Sequence, residues 1–587
     1  MLKQKFDKML THGMGSQLLL LLFAVILFFV FFLFISLIFG WNYGWQDIIA
    51  MFLDPGGFGG HGEHDGFRLI VTLVGILLFS TLLISVVNNI FDNISDSAKT
   101  GLIRYRVKDH ILILGADSHL MPMLEVLSLY PDKQEIVIMT QDDVESLSAK
   151  IKARFADRKF FNRLIFYRGA WDTLDELTTA RPQYAKTIYV IGEQGDSEHD
   201  SMNMRCCTLL KTLCAQSKFD IPCFVMMENG STIDMYMKEP KPLSTDKLKI
   251  DIVNTREYAA EQVLAWTNFL PVIKADDPHY SHFVILGTGS MAKAVAFTVA
   301  HNSHYPRLNG AIRPTLISIV SKDVREWMEN LAASRPELFE RSRYTFIAAD
   351  GSVDTHHPEN DLLDVEWEFI EQRDASPVAR MLLEQWASDR EQQYLRIAIC
   401  HESQSERIAS LLHLPQPIFD EKHPCPICIY LEQGGETVFR AMETGNYGII
   451  KPFGPAMGRQ SDPLFGDRSK RGYLVNAFYL VGKEAFNGFD YFKAWYESKE
   501  SDKFASTYCA NALNMRWVNF DPLGDREPLY EAEHRRWMMT KLLMGLSHEG
   551  ITSYDNVPFW KKDNFINLID CMIEGYKEHG GFPKLKD

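Results

Sequence analysis

Three groups of residues in this 587-residue chain have types and spacings that could do chemistry. The first is the glycine-dense run Leu53-Asp54-Pro55-Gly56-Gly57-Phe58-Gly59-Gly60. Glycines let backbone carbonyls and amides line a cavity the size of an ion, so Asp54, Gly56, Gly57, Phe58, Gly59 and Gly60 are candidate selectivity-filter residues. The second is Gly287-Thr288-Gly289-Ser290-Met291-Ala292, a G-x-G-x-x-A fingerprint between an apolar strand and a helix. Gly287, Gly289, Ser290 and Ala292 would bring a pyrophosphate close to a helix N-terminus, with Asp323 beyond the next strand as the ribose acid. Asp323 lies farther on than the usual spacing of about 20 residues. A sparser counterpart keeps only Gly115 at its turn and Asp142 after its second strand; a solvated helix N-terminus explains Asp142 equally well. The third group is Thr81, Ser85, Asn88 and Asp92, which with Asp96 recur every three or four residues and share one face of a helix. They would line a water-filled path, with a carboxylate ring at its inner mouth; close helix packing is the plainer use of such residues.

These groups need elements to position them. Leu18 to Gly40 and Leu69 to Ile90 are apolar and uncharged. Each is long enough to span a bilayer core of about 30 Å as a helix. A short helix, Trp45 to Phe52, and the glycine run lie between them, giving spans 18–40 and 69–90 with a pore loop 45–66. Helix, half-helix, glycine loop, helix fits a cation pore, and it fits two anchors joined by an outer turn. Lys3, Lys5 and Lys8 precede the first span and Lys99, Arg104, Arg106 and Lys108 follow the second, whereas the loop carries Asp47, Asp54, Glu63 and Asp65. The positive-inside rule then predicts an integral protein of the inner (cell) membrane with both termini cytoplasmic.

The net charge of −15 argues against a nucleic-acid partner. Nine cysteines without an extracellular framework read as reduced thiols. Beyond the membrane part, His110–Leu114, Glu135–Thr140, Leu164–Arg168, Thr187–Ile191 and Pro222–Met227 read as strands at βαβ spacing. His282–Leu286, Thr315–Val320, Tyr344–Ala348, Leu395–Cys400 and Ile427–Leu431 repeat the pattern, and Asn254–Leu270 reads as a connecting helix. The expected fold class is a two-span α-helical pore module (1–107), then two Rossmann-like doubly wound parallel sheets (108–270 and 281–470), then a small helical region (471–587). His301, His304, His356 and His357 fall in polar loops and read as solvated. Cys425 and Cys428 form a lone C-x-x-C, too little for zinc. No G-x-S-x-G, Walker or H-E-x-x-H motif is present, so no catalytic residues and no metal ligands are assigned.

Several residues carry a family resemblance: the Leu53–Gly56 loop with Gly59 and Gly60, Thr72, Gly75-Ile76, Ser80, Asn88, Gly101, the Asp109–Gly115 strand, and Arg168-Gly169. Over Gly40 to about Gly230 the chain resembles the Castor/Pollux ion channels, in particular the short bacterial members. The resemblance implies a homotetrameric cation channel in a lipid bilayer, whose regulator-of-conductance (RCK, or TrkA-N-like) domains form a gating ring. Pro55 and Gly56 depart from the potassium-filter pattern. Leu529–Trp537, with Lys541-Leu542-Leu543 and Gly545, is similar to the helix motif of the RyR domain. That resemblance implies a ligand surface at Glu533, His534, Trp537 and Lys541.

The function expected is a ligand-gated cation channel whose RCK-like ring senses a nucleotide (NAD-like or other) or a regulatory divalent cation. Two alternatives fit the same residues. One is a nucleotide-triggered effector that permeabilises the membrane; the other is a membrane-anchored NAD-binding oxidoreductase or sensor. No His, Lys or Tyr constellation for hydride chemistry lies near the glycine fingerprint, so the channel, a non-enzyme, is preferred.

Overall fold

The computed structural model describes residues 13–41, 43–53, 64–129, 134–155, 157–193, 198–266, 269–274, 276–420, 425–431, 450–454, 466–482, 489–516, 526–546 and 550–579. The chain divides into two compact units, Met1–Ile103 and Arg104–Asp587.

The first unit holds three helices, Gly13–Ile38, Trp45–Leu53 and Asp65–Lys99. The short middle helix is amphipathic, and its Ile48 is fully buried with Phe32 and Val71 from the two long ones. Its entry is fixed by Asp47, which accepts the Gly44 amide at 2.9 Å, and by Ser36, whose hydroxyl donates to the Trp41 and Tyr43 carbonyls. Trp41 stacks on His64 at 4.5 Å and meets Phe67 edge-on. Taken over the described side chains alone, no helix is long and apolar enough to cross a membrane. As a backbone element, Gly13–Ile38 runs 26 residues without one charged side chain, and Asp65–Lys99 runs 35. The expected filter, Asp54 and Gly56 to Gly60, lies outside the described residues.

The second unit contains two Rossmann-like sheets. In the first, β1 (His110–Ala116), β2 (Ile136–Thr140), β3 (Leu164–Arg168), β4 (Ala185–Glu193), β5 (Ile221–Met227) and β6 (Leu248–Asn254) run parallel in the order β3-β2-β1-β4-β5-β6. That order reverses between β1 and β4, where ligands of such sheets bind beyond the strand ends. The second sheet holds β7 (Tyr280–Leu286), β8 (Thr315–Val320), β9 (Tyr344–Ile347), β10 (Val353–His356), β11 (Val365–Ile370), β12 (Gln393–Ile399), β13 (Ile427–Tyr430) and β14 (Ile450–Phe453). Its order is β10-β9-β11-β8-β7-β12-β13-β14, all parallel except β10, which turns back antiparallel on β9 as an exposed edge. Helices on both faces explain why the central strands are buried almost without interruption.

Strands β6, β10, β11 and β14 lie outside the sequence expectation, and β6 and β11 show why. β6 reads Leu-Lys-Ile-Asp-Ile-Val-Asn and ends at Asn254, where a helix is expected; the helix is Thr255–Trp266. β11 reads Val-Glu-Trp-Glu-Phe-Ile, and its Glu366 and Glu368 disguise a strand whose Val365, Trp367 and Phe369 are buried. The expectation for three histidines is also corrected. His301 and His304 are buried, because His301 lies on the helix Ser290–Asn302 and His304 is enclosed just beyond it. His356 belongs to β10 and stacks on Tyr344 at 5.0 Å, whereas His357 is exposed as expected.

The C-terminal helices Gly466–Val481, Tyr491–Glu497, Glu500–Arg516, Glu527–Leu543 and Phe559–His579 dock on both sheets. Met538, Met539, Leu542 and Leu543 complete the core of the second sheet, while Phe504 and Tyr508 join that of the first. Buried charges fix the docking. Arg535 donates from Nε to Asp364 at 2.9 Å and from Nη2 to the Tyr305 carbonyl at 2.8 Å, and His304 reaches the other Asp364 oxygen at 2.7 Å. On β6, Asp251 accepts Trp495 Nε1 at 2.6 Å and the Tyr496 hydroxyl at 2.7 Å. Removing one partner of a buried pair strands the other charge, which costs roughly 3–5 kcal/mol. Asp364→Ala is expected to lower the stability of the full-length protein by that order, read from denaturant or thermal unfolding. A change within the range of an ordinary surface substitution would show that Arg535 is not held as described.

Candidate functional site

At the end of β1, Gly115 adopts φ +101°, and a Cβ there would lie 2.0 Å from the Gly192 carbonyl oxygen. The glycine therefore lets β1 and β4 close on each other. The crevice beyond them is filled by Glu193, the last residue of β4, whose Oε2 accepts the Ala116 amide at 3.1 Å. Its Oε1 accepts the Thr140 hydroxyl at 2.8 Å, the Gln141 amide at 2.9 Å and Trp171 Nε1 at 3.2 Å. The chain's own carboxylate thus occupies donors that a nucleotide phosphate would use, although burial pushes its pKa up against those bonds. Asp142 is exposed at the rim, and Asp143 caps the next helix through Ser146 N at 3.0 Å.

The second turn differs. Gly287 again has a positive φ, +112°, and packs against the His401 backbone. Among the described residues, no side chain hydrogen-bonds the amides of Thr288, Gly289 or Ser290. Ala292 is buried against the sheet and Ser290 is exposed. Asp323 stands at the start of the helix after β8, largely exposed, with Lys322 3.8 Å away. A Cβ on Gly289 would meet Glu402 Cγ at 2.5 Å, so that side chain borders the turn. Of the two turns, this one has amides that no described side chain hydrogen-bonds, with the Glu402 side chain beside them.

A cluster that sequence reasoning missed lies at the strand ends of the first sheet. Ligand atoms of Asp117, His199 and Glu228 lie within 4.8 Å of one another, a spacing that could hold a metal ion. The residues come from three separate segments, so no linear motif marks them. His199 Nδ1 faces Asp200 at 2.9 Å and Nε2 faces the Ile191 carbonyl at 2.8 Å. Burial opposes a charge on His199, but these two acceptors outweigh it and raise its pKa to about 9. A ring that donates from both nitrogens has no lone pair for a metal, so a cation here would first displace that proton. His119 pairs with Asp117 at 2.7 Å beside it.

On the helix Glu527–Leu543, Glu533 and His534 are not on a surface. Glu533 is fully buried and paired with Arg536 at 2.7 Å, and His534 is buried against Tyr554 and Phe565, its pKa lowered by burial to about 4. The helix is enclosed by both the second sheet's helices and its own neighbours, which removes the solvent face that the spacing suggested. Trp537 and Lys541 remain half-buried and line a cavity of roughly 300 Å³ with Asn476, Tyr479, Asp502 and Arg536. The Lys541 ammonium sits 6.0 Å from the Trp537 ring centre, and burial lowers its pKa. In the first unit, Thr81, Asn88 and Asp92 are exposed on their helix, and Thr81 donates to the Leu77 carbonyl at 2.6 Å; the Ser85 side chain lies outside the described ones.

No protein-family model matches the chain, and no curated protein matches it. Among solved structures it is similar to the GsuK channel, at 14% identity over 75% of this chain and 96% of that one, with a TM-score of 0.37. The ADP-bound GsuK structure gives 15% identity, coverage of 76% and 96%, and the same TM-score of 0.37. The GsuK RCK domain gives 11%, 64% and 80%, with a TM-score of 0.33.

The His199 pairing gives the protein a pH dependence. Because the His199 pKa is raised from 6.5 to about 9, its contribution is full below 6.5 and is lost as pH rises through 9. Unfolding midpoints of the parent protein should fall across that window, by at most about 3 kcal/mol in stability. His199→Gln should be less stable at neutral pH and flatter above it; identical profiles would contradict the assignment. At the open turn, Gly289→Asp sets bulk and charge beside the amides, and calorimetry should show loss of any adenine nucleotide that the parent binds there.

Proposed function

We propose that the chain is one subunit of a ligand-gated cation channel: a two-span membrane pore carrying two Rossmann-like sensory domains and a helical C-terminal region. One observation carries this reading. The short Trp45–Leu53 helix is held by Ile48 against two long helices, directly before a glycine-dense run, and the long helices turn large apolar side chains outward. Phe23, Leu27, Phe34, Leu37, Leu77 and Ile84 are each at least half exposed in the single chain. An exposed apolar surface of this extent calls for lipid or further copies of the chain.

One chain supplies one glycine loop, so a closed ion path requires several copies, and four is the expected number. The membrane would be the cell's inner membrane, with both termini in the cytoplasm. The sensory ligand is a nucleotide, for which the open Gly287–Ala292 turn and the cavity beside Trp537 offer two sites. A divalent cation at Asp117 and Glu228 is the competing regulator. The Castor/Pollux and RyR resemblances support the same assembly, and the chain conducts rather than catalyses.

Permeation tests the reading. Asp92 is exposed and shares the helix face of Thr81 and Asn88, so copies of it would concentrate cations at the inner mouth. In proteoliposomes, Asp92→Asn should reduce cation flux most at low salt, and Asp92→Lys should nearly abolish it. Flux unaffected by Asp92→Lys, or flux of large solutes through the parent protein, would favour a broad permeabilising effector instead.

A further inference from the structure

We infer that the cavity beside Trp537 binds a zwitterionic small molecule of the amino-acid class, with an apolar or aromatic side chain. The cavity measures roughly 300 Å³, at the lower end of the range for ligand pockets. Its polar groups sit on packed helices: Asp502 and Ser506 on Glu500–Arg516, Arg536 and Lys541 on Glu527–Leu543, and Asn476 on Gly466–Val481. Helices hold such groups in place better than loops do.

Buried polar atoms without partners mark its interior. Arg536 is 1% exposed. Its Nε donates to Glu533 at 2.7 Å and its Nη1 to the Thr540 hydroxyl at 2.9 Å, which leaves Nη2 without a hydrogen bond. Ser506 is 3% exposed, and its hydroxyl has no partner among the described residues. Asn476, also 3% exposed, donates from Nδ2 to the Ser498 hydroxyl at 3.1 Å, and its Oδ1 accepts nothing. All three side chains line the cavity. Unpaired buried donors and acceptors are costly, and one polar occupant of the space they share would answer them together.

The charges say which kind of occupant. Arg536 is answered by Glu533, so the lining charges left are Lys541 and Asp502, one of each sign. Both act on the same space: burial lowers the Lys541 pKa, Asp502 works against that shift and Arg536 adds to it. Yet among the described residues neither Lys541 nor Asp502 makes an ion pair. Lys541 is half-buried beside Arg536, whereas Asp502 is exposed, so a positive pole lies inward of a negative one. A space of no net charge with two separated poles matches a ligand that carries both signs, and leaves the second charge of a phosphate unanswered. A carboxylate would take the donors Lys541, Arg536 Nη2 and Ser506, and an ammonium the acceptors Asp502 and Asn476 Oδ1. The half-buried Trp537 ring and the exposed Leu480 supply an apolar wall for the side chain. This ligand is additional to the nucleotide and leaves the glycine turn as the nucleotide's place.

Thermal unfolding of the full-length protein in detergent, at constant pH and ionic strength, tests the site. L-Phenylalanine and L-leucine are the probes, with 3-phenylpropanoate and 2-phenylethylamine as molecules that carry one pole each. At least one amino acid should raise the midpoint, since a ligand of the folded state stabilises by mass action. Each one-pole molecule should need roughly tenfold more for the same shift as L-phenylalanine, the worth of a charge-assisted hydrogen bond. Asp502→Asn should weaken the amino-acid response by about tenfold and leave that to 3-phenylpropanoate unchanged. Lys541→Met should weaken both and leave the response to 2-phenylethylamine unchanged. Lys493→Met, at an exposed lysine paired with Glu497, should behave as the parent. No response of the parent to either amino acid would overturn the site, and so would two cavity variants that change all responses alike. A response to adenosine 5′-monophosphate that Lys541→Met abolishes and Gly289→Asp leaves intact would also overturn it, because the cavity would then belong to the nucleotide.

Discussion

The second unit depends on buried charges that must be answered across domain boundaries. Arg535, Arg335 and Asp251 are all buried, and each makes polar contacts with a distant segment: Arg535 reaches Asp364, Arg335 reaches Asp234, and Asp251 is met by Trp495 and Tyr496. Such pairs are a weak source of net stability, since desolvation offsets most of the attraction. Their effect is on which arrangement is allowed. A sliding contact would expose or strand a charge, so the helical C-terminal region has one register on the two sheets. Apolar contacts such as Met538 and Phe504 supply the adhesion, and the charges supply the address.

The two sheets share a central topology and have diverged at the same place. At the first turn a carboxylate from the chain's own β4 takes up the amides and hydroxyls of the crevice. At the second, Glu402 beyond the equivalent strand also borders the turn, but among the described residues no side chain hydrogen-bonds the amides of Thr288, Gly289 or Ser290. One fold thus provides one self-satisfied end and one open end. The closed end is built for permanence, with Trp171 and Thr140 also committed to Glu193. An anion entering the first sheet would have to displace all of the hydrogen bonds to that carboxylate.

Much of this architecture was legible in the sequence because parallel strands buried on both faces read as apolar runs, such as Ile111 to Leu114 and Val284 to Leu286. β6 and β11 escaped because they carry acids. Asp251 and Glu368 sit in strands because Trp495 and Ser318 answer them, and neither partner is near in sequence. The same limit explains Glu533 and His534. Helical spacing places them on one face but does not say what covers it. Gly115 and Gly287 were visible as turn glycines, whereas the Glu193 plug and the Asp117–His199–Glu228 cluster arise only when distant segments meet. Linear patterns report local geometry well and solvation poorly.

The β9–β10 hairpin has a consequence for crowding. A parallel sheet that ended at β11 would offer a bare row of amides and carbonyls, ready to accept a strand from a neighbouring molecule. Here the outermost strand runs backward and is only four residues long, with Asp354 and His356 in it. Its direction and brevity make it a poor template for another parallel strand. Wherever many copies of this protein gather in a small area, that edge discourages sheet-to-sheet growth.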